Sequence, residues 1–340
     1  MNVLPLPHEI LAKPGSPILV TGGSGFVGSH LADALSAKAT PPRVLVRRTS
    51  DITHLAGLGV ERIEGGFNEP ATLARAVCGV DTVFHLAAVT HARSAWEYHH
   101  VNAEGTRALV EAVLAARPRP RRLVYLSSLA AAGPARDGRP LGPNDAPQPI
   151  TAYGQSKLAG EQFCLAAAGD VEVVVLRAPA VYGPRDRAFL PYFLMAARGI
   201  VPVPTGQDRL IQFIHVHDLV EALVRAAAAP NATGVYAVAE PQSYAWSDIT
   251  KWMAIAVGRR VRAVRVPSWL VRCAAAASEL GAATVGRATI FNREKVREIL
   301  APGWLCETAA AKRDLGFEGR IPLSVGLSET ATWYRQQGWL

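Results

Sequence analysis

The sequence predicts an α/β fold built on a doubly wound parallel sheet, with a smaller C-terminal α+β domain. Short apolar runs such as SPILV, RVLV and VEVVVL lack polar alternation, which indicates strands buried on both faces. Segments with helical spacing lie between these runs, and strand–helix alternation favours a parallel sheet with right-handed crossovers. After Pro179 the alternation weakens, which indicates a second domain.

The elements of the first domain are predicted in chain order. The strand in SPILVTGG precedes a helix at FVGSHLADALSAK, a strand at RVLVRR, a helix at ATLARAVCG, a strand at DTVFHLAA and a longer helix at NAEGTRALVEAVLAA. Strand RLVYLSS, helix AYGQSKLAGEQFCLAAAG and strand VEVVVLRAP follow. The first sixteen residues precede this pattern and are predicted to be an extension.

The alternating pattern returns late in the chain, in HVHDLVEALVRAAAA and GVYAVAE. We therefore expect each domain to be built from two stretches. The first domain is predicted to comprise 17–182 and 211–239. The second is predicted to comprise 183–210 and 240–340.

Composition argues against several classes of protein. The 340 residues include 36 Lys and Arg and 28 Asp and Glu, a net charge of +8. The basic residues are scattered except for RPRPRR at 117–122, without the basic stripe and reading motif of a nucleic-acid binder. Residues MNVLPLPHEILAKPGS have no basic n-region and no sustained apolar run, so we do not expect them to be a signal peptide. The sequence also has no run of eighteen uncharged apolar residues. We expect a cytoplasmic protein with no nucleic-acid or membrane partner.

The four cysteines are Cys78, Cys164, Cys273 and Cys306. They form no C-x-x-C pair and have no histidine at metal-ligand spacing. Reduced thiols and no metal site are therefore expected.

The stretch TGGSGFVG, residues 21–28, joins the first strand directly to the first helix. Its glycines Gly22, Gly25 and Gly28 permit a tight turn, a close approach to a pyrophosphate and close packing of helix on sheet. The helix begins near Phe26 and Val27, where free N–H groups and the positive end of the helix dipole favour an anion. In this strand–loop–helix context the motif predicts a dinucleotide site of Rossmann type.

The end of the second strand predicts the coenzyme. An acidic residue there would bind the ribose 2′-OH of NAD. This chain instead has Arg47 and Arg48, whose guanidinium groups suit a 2′-phosphate. The sequence therefore favours NADP over NAD.

Tyr153 and Lys157 stand four residues apart in AYGQSKLAG and would share one helix face. A free tyrosine has a pKa of about 10, and a nearby ammonium lowers that pKa, so the pair suits proton transfer. The ammonium would also bond the cofactor ribose. Serines in YLSSLAAAG lie at the end of a strand, where open α/β sheets bind ligands.

Taken together, these segments resemble the extended short-chain dehydrogenase/reductase family, of the NAD-dependent epimerase/dehydratase type. TGGSGFVG and AYGQSKLAGEQ resemble its T-G-x-x-G-x-x-G and Y-x-x-x-K motifs, and DTVFHLAA, VNAEGT, VVLRAPAVYGP and FIHVHDLVEAL resemble its other landmarks. The resemblance covers roughly residues 16–340. SSLAAAGP and the tail are similar to the 3β-hydroxysteroid dehydrogenase and dihydroflavonol-reductase-like branch.

The resemblance implies a Ser–Tyr–Lys centre in which Ser128 joins Tyr153 and Lys157. It implies that Asn102 helps to order the active-site helix. It also implies cofactor contacts by a further set of residues: Leu86, Ala87, Ala88, Ser127 and Pro179. The helices near 103–116 and 153–168 would pair with those of a second copy, giving a homodimer.

The chain departs from the family pattern at two places. Arg47 stands where many NAD-dependent members have Asp, and Gly66 stands where an Asp meets the adenine. Leu129 and Ala130 replace the acidic pair of dehydratases, which disfavours that activity.

We expect an oxidoreductase that transfers hydride between nicotinamide and a secondary alcohol or ketone. Tyr153 would exchange the proton and Ser128 would bind the substrate oxygen. The alternative is a nucleotide-sugar 4-epimerase with tightly bound NAD. A cofactor-sensing regulator without catalysis is a third hypothesis, which the presence of Y-x-x-x-K disfavours. The sequence does not identify the substrate.

Residues that follow the strand DTVFHLAA, or lie in the second domain, are candidates for substrate contacts. Arg209 could bind the diphosphate of a nucleotide sugar or could pair with Asp208 or Asp218. His215 and His217 alternate with Val216 on a predicted strand and are expected to be core or interface residues. The candidate substrate residues are His91, Arg93, Trp96, Tyr192 and Arg209.

Overall fold

The structure is a computed structural model that describes residues 17–38, 41–206, 208–284 and 289–340. The predicted extension, residues 1–16, lies outside the described residues. The strands are β1 (Ile18–Thr21), β2 (Arg43–Val46), β3 (Glu61–Glu64), β4 (Thr82–His85), β5 (Arg122–Ser128), β6 (Glu172–Ala178), β7 (Ala180–Tyr182), β8 (Ile200–Pro204), β9 (Ile211–His215), β10 (Gly234–Ala237), β11 (Ser243–Tyr244) and β12 (Arg262–Val266).

Helices connect most of these strands. They are α1 (Phe26–Ser36), α2 (Pro70–Val77), α3 (Ala95–Tyr98), α4 (Gly105–Ala115), α5 (Leu129–Ala132), α6 (Ala152–Ala166), α7 (Leu190–Ala197), α8 (Val216–Ala228), α9 (Trp246–Val257), α10 (Ser268–Thr284), α11 (Arg293–Ile299), α12 (Ala309–Leu315) and α13 (Leu323–Gln336). A π-helical segment, His99–Glu104, joins α3 to α4. Within the described ranges, none of the helices combines the length and apolarity needed to cross a membrane.

Seven parallel strands form the central sheet, in the order β10-β6-β5-β4-β1-β2-β3. Helices α1, α8 and α12 pack on one face of the sheet, and α2, α4 and α6 pack on the other. Burial on both faces explains why the inner strands of this sheet are apolar at most positions, whereas edge strand β3 has the sequence ERIE and is largely exposed. The prediction of a Rossmann-type, doubly wound parallel sheet is confirmed.

A second group of strands and helices lies beyond the carboxyl ends of the large sheet. Strands β11, β9 and β7 form a three-stranded sheet, and β12 pairs with β8 in a separate two-stranded sheet. An apolar core between α7, α9, α13 and the small sheets holds this part together. We propose the two-part division of the chain that the sequence suggests, with three differences: β7 and β9 lie in the three-stranded sheet, and α12 packs on the large sheet.

Strand β9 begins the second stretch predicted for the first domain, residues 211–239. Strand β9 instead lies in the three-stranded sheet, and the chain returns to the large sheet only with helix α8. The expected strand through His217 is also wrong, because β9 ends at His215 and α8 begins at Val216. His215 closes the strand because its side chain caps the helix by accepting a hydrogen bond from the His217 N–H.

The fold depends on close packing at the start of α1. A Cβ atom on Gly28 would lie 2.1 Å from the carbonyl oxygen of Gly22. A Gly28→Ala substitution should therefore lower the free energy of unfolding by about 2 kcal/mol or more, because the loop and helix must separate. Urea denaturation measures this change.

Gly169→Ala is the matched control, since a Cβ atom there would meet no heavy atom within 4 Å. Its free energy of unfolding should stay within about 0.5 kcal/mol of the parent. Equal stability of the Gly28→Ala variant and the parent would contradict the packing argument.

Candidate active site

The glycine loop opens onto a large cavity at the carboxyl ends of β1, β4 and β5. Gly25 is the N-cap residue of α1 and provides no capping side chain, so the first N–H groups of the helix lack a side-chain partner. The cavity wall here is formed by residues of the loop and of the first helical turn, namely Gly22, Gly25, Phe26, Val27 and Gly28. This bare backbone suits a pyrophosphate group.

Asn102 lies in the π-helical segment and ties the loop after β4 to helix α6. Its Oδ1 accepts a hydrogen bond from the Val89 N–H at 2.8 Å, and its Nδ2 donates to the Val89 carbonyl at 3.0 Å. The same Nδ2 donates to the Ser156 hydroxyl at 3.0 Å. Asn102 itself is buried behind the cavity wall, so it acts on the site through the elements that it connects.

The end of strand β5 and the start of helix α6 bring Ser128 and Tyr153 to the same cavity wall. Ser128 ends β5 and caps the short helix α5 by accepting a hydrogen bond from the Ala130 N–H at 3.1 Å. A Cβ atom on Gly154 would lie 2.3 Å from the Ala130 carbonyl oxygen. The glycine therefore permits α6 to pack directly against the turn that carries Ser128.

Tyr153 is partly buried, and its environment favours the protonated phenol. Burial raises the pKa of Tyr153 to about 12, and the negative charge of Glu298 acts in the same direction. A hydrogen bond with Ser128 and the positive charge of Lys295 oppose this rise in the pKa. Ser128 and Lys295 are therefore the main groups that lower the pKa of Tyr153. The sequence analysis expected Lys157 to have this effect.

Lys157 is buried one helical turn after Tyr153. Its Nζ donates a hydrogen bond to the Leu126 carbonyl at 2.7 Å and lies 4.2 Å from the centre of the Tyr125 ring. Burial lowers the pKa of Lys157 to about 7, although the charge of Glu161 opposes this shift. Lys157 therefore carries only part of a positive charge near neutral pH.

Glu161 continues this face of α6 and is also buried. It accepts two parallel hydrogen bonds from Arg177, with the Arg177 Nη2 at 2.6 Å from one carboxylate oxygen and Nε at 3.0 Å from the other. The Ser127 hydroxyl donates to the same carboxylate at 2.5 Å. Ser127 thus lines the cavity, while its hydroxyl is hydrogen-bonded to Glu161.

The cavity has a volume of about 1730 Å³ and extends from the glycine loop into the second domain. Most of the other residues expected to contact the cofactor also line it, namely Leu86, Ala87, Ala88 and Pro179. Its far end is mainly apolar and is formed by side chains from α7, α9, α10, the small sheets and the loops near α11. These include Phe189, Met195, Phe213, Trp246, Met253, Leu270, Phe291 and Trp304.

A polar group from α11 lies beside Tyr153 and was not anticipated from the sequence. The Lys295 Nζ donates to a carboxylate oxygen of Glu298 at 3.0 Å, and both residues line the cavity. Glu294 accepts a hydrogen bond from the Ala152 N–H at the start of α6. These residues lie in REKVREIL, and no local sequence pattern indicates that this segment packs near Tyr153, about 140 positions earlier.

The five candidate substrate residues separate into two groups. His91 and Tyr192 line the cavity. Among the described residues, Arg93, Trp96 and Arg209 do not line it, and we do not retain them as substrate residues. Arg93 pairs with Glu97, the Trp96 side chain is 69% exposed, and Arg209 lies against Gly206.

Asp218, one of the two acids considered as a partner for Arg209, has other hydrogen-bond partners. The Asp218 carboxylate accepts hydrogen bonds from the backbone N–H groups of Arg320 and Ile321, each at 2.9 Å. These contacts join α8 to the segment before α13.

The two arginines at the end of β2 occupy different positions. Arg47 lines the cavity, and its N–H donates to the Ser50 hydroxyl at 3.1 Å. Arg48 is exposed and, within the described part of the chain, does not belong to the cavity wall. Gly66 and Asn68 line the same end of the cavity, so Asn68 provides a polar side chain near the position where the expected Asp is missing.

His215 at the end of β9, His217 in α8 and Glu329 in α13 form a polar cluster. Potential metal-ligand atoms of the three residues lie within 4.8 Å of one another. The His215 Nδ1 accepts the His217 N–H, which leaves the proton of the neutral ring on Nε2, the atom 3.8 Å from Glu329. Burial lowers the pKa of His215 to about 3. His215 is therefore neutral near pH 7, and its Nε2 faces the Glu329 carboxylate.

The strand–loop–helix unit, the parallel sheet and the cavity at its carboxyl edge define a dinucleotide-binding protein of the Rossmann class. The family of NAD-dependent epimerases and dehydratases matches residues 18–239. The chain belongs to this family, and so to the extended short-chain dehydrogenases/reductases, which confirms the resemblance inferred from the motifs.

Relatives of the chain include enzymes that act on different substrates. A ceramide reductase from Caulobacter vibrioides is 31% identical over 325 residues, which cover 95% of this chain and 96% of that protein. A 3-beta-hydroxysteroid dehydrogenase from Mycolicibacterium neoaurum is 28% identical over 276 residues, covering 75% and 74% of the two chains. The structure of MoeE5 with UDP-glucuronic acid and NAD is 27% identical, with a TM-score of 0.73, covering 95% of this chain and 100% of that one.

Because the pKa of Lys157 is lowered to about 7, we expect dinucleotide binding to depend on pH near neutrality. The free protein loses the Lys157 proton as the pH rises through about 7, and with it a positive charge that attracts an anionic ligand. The dissociation constant for NADPH should therefore increase between pH 6 and 8, as measured by quenching of protein fluorescence.

A Lys157→Met variant provides the control. It should bind NADPH more weakly at pH 6 and should lose most of the pH dependence. The same pH dependence in the variant and the parent would assign the titration to another group.

Proposed function

We propose that the protein is an NADP-preferring oxidoreductase that reduces a ketone to a secondary alcohol in a large apolar substrate. One observation carries the proposal: a single cavity connects the glycine loop, the Ser128–Tyr153–Lys157 group and a wide apolar wall. A polar reaction centre with an adjoining apolar chamber fits a substrate with one oxygen function on a large hydrocarbon body.

The residues of the chain would divide the reaction as follows. A nicotinamide coenzyme held by the glycine loop and Lys157 would provide the hydride that the carbonyl carbon accepts. Tyr153 donates its phenolic proton to the carbonyl oxygen, and Ser128 donates a hydrogen bond to that oxygen and stabilises its developing charge. Lys157 holds the ribose of the coenzyme, and Asn102 keeps α6 in position through Ser156.

The protonation state of Tyr153 fits its proposed role as the acid in reduction. At neutral pH Tyr153 keeps its proton and is ready to act as an acid. Oxidation of an alcohol requires the phenolate, which burial and Glu298 disfavour. The positive charge of Lys295 lowers the pKa of Tyr153 and would moderate this effect.

The apolar wall supports a lipid-like ketone as the substrate class. Ceramides and 3β-hydroxysteroids, named as substrates of two relatives, are both apolar molecules with few oxygen functions. We propose the same class for this chain and assign His91, Tyr192 and Lys295 to the polar end of the substrate.

A nucleotide-sugar epimerase with retained NAD is the alternative, favoured by the MoeE5 structure. The cavity gives this alternative less support, because Arg209 does not line it among the described residues. Arg187 and Lys295 do line it, and they would have to bind the diphosphate.

We also propose a cytoplasmic protein and a homodimer that pairs through α4 and α6.

Substitution of Tyr153 tests the proposed chemistry. Tyr153→Phe should lower kcat for ketone reduction by at least about 100-fold, because it removes the proton donor. Its dissociation constant for NADPH should remain close to that of the parent. Assays of NADPH oxidation and of NADPH binding measure the two effects.

Tyr236→Phe is the matched control, since Tyr236 lies on edge strand β10. It should keep the activity of the parent. Substantial turnover by Tyr153→Phe would refute the assigned mechanism, whereas loss of NADPH binding would show a structural defect.

Coenzyme preference tests the role of Arg47. Arg47→Ala should raise the dissociation constant for NADPH by about tenfold or more, because a charge-assisted contact to the 2′-phosphate is lost. The affinity for NADH should change little. Arg48→Ala is the control and should leave both affinities near those of the parent, and an equal loss for NADH in Arg47→Ala would contradict a phosphate contact.

A further inference from the structure

Helix α10 presents an apolar surface to solvent. Trp269, Cys273, Ala277 and Leu280 recur at helical spacing, and we call these four residues the outer face of α10. All four are exposed, with 64% of Trp269 and 71% of Leu280 accessible to solvent. A contiguous stripe that includes an exposed tryptophan and leucine is typical of an interaction surface.

The chain from α9 into α10 is basic up to Ser278, and Glu279 of α10 pairs with Arg293 at 2.8 Å. Residues 249–278 contain six basic residues and no acidic residue, whereas the whole chain has 36 and 28. In the described part of the chain, none of the six forms an ion pair with a carboxylate. They are Lys251, Arg259, Arg260, Arg262, Arg265 and Arg272.

The outer face lies on the same helix as one wall of the substrate cavity. Leu270, Val271 and Ala274 of α10 line that cavity, and Leu270 is also 41% exposed. Ile290, in the segment after the helix, is likewise both exposed and part of the cavity wall. The apolar surface of the protein is therefore continuous with the apolar end of the cavity.

We propose that the outer face of α10 and its basic surroundings dock the protein on an anionic phospholipid bilayer. Trp269 and Leu280 enter the boundary between headgroups and acyl chains, and the arginines contact the phosphates. The proposal replaces the expectation of no membrane partner. It rests on the proposed function for its purpose, because a large apolar ketone resides in the bilayer and would enter beside α10.

Charge favours a bilayer over a second copy of the chain. A two-fold symmetric contact between two outer faces would bring the same basic segments together. Like charges at a contact repel one another, whereas anionic headgroups neutralise the arginines. A bilayer also accepts a protruding tryptophan and leucine without a shaped pocket.

The test is sedimentation of the full-length protein with vesicles, without ketone or nucleotide. Vesicles of equal parts phosphatidylcholine and phosphatidylglycerol should bind the protein at low salt, and vesicles of phosphatidylcholine alone should bind it poorly. Trp269→Ser combined with Leu280→Ser, and separately Arg262→Gln combined with Arg265→Gln, should each weaken binding by about tenfold or more.

Trp96→Ser is the matched control, because Trp96 is as exposed as Trp269 but lies on α3. It should bind the anionic vesicles like the parent. Melting temperatures of all variants, measured by circular dichroism, should match the parent, because the substituted side chains are exposed.

Absence of binding to anionic vesicles would overturn the proposal, as would equal binding by the Trp269/Leu280 variant. Protection of Trp269 from quenching by acrylamide in a vesicle-free dimer would also overturn it in favour of a second copy. Ketone reduction in detergent micelles is measured in parallel. Its absence would refute the proposed function alone, since vesicle binding needs no substrate.

Discussion

The buried carboxylate of Glu161 is the interaction on which the geometry of the site depends. It receives hydrogen bonds from Ser127 of β5 and Arg177 of β6, so one residue of α6 is joined to two central strands. Removing one partner of such a buried pair typically costs about 3–5 kcal/mol, because the remaining charge is left uncompensated. Lys157 lies one turn earlier on the same helix face, and its position follows from this attachment.

The same attachment explains the electrostatics of the site. Lys157 is removed from water by its position against Leu126 and Tyr125, and the negative charge of Glu161 partly restores its proton affinity. Tyr153, one turn further toward the cavity, is influenced by Ser128, Glu298 and Lys295. A rigid helix thus places one lysine in an interior environment and one tyrosine at the boundary between the polar and apolar parts of the cavity.

The features that depend on local sequence could be predicted. Six of the seven strands of the large sheet, the glycine loop and the placement of Tyr153 and Lys157 one turn apart on α6 each follow from patterns within about ten residues. Strand β3 was missed because three of its four residues are charged. The position of β9 could not be predicted, because a short apolar strand has the same pattern in either sheet. Trp96 was misjudged because Ser94 caps a new helix, which turns Trp96 outward. Lys295 and Glu298 reach Tyr153 only through the tertiary fold.

If the proposed function is correct, the cavity accepts a large apolar ketone and NADPH is consumed in its reduction. The most direct measurement is kcat/KM with NADPH for a series of ketones that share one polar end and differ in apolar length. We expect kcat/KM to rise with length, by up to about fourfold per added methylene until the chamber is filled. A flat series, or conversion of a nucleotide sugar by retained NAD without net NADPH oxidation, would contradict it.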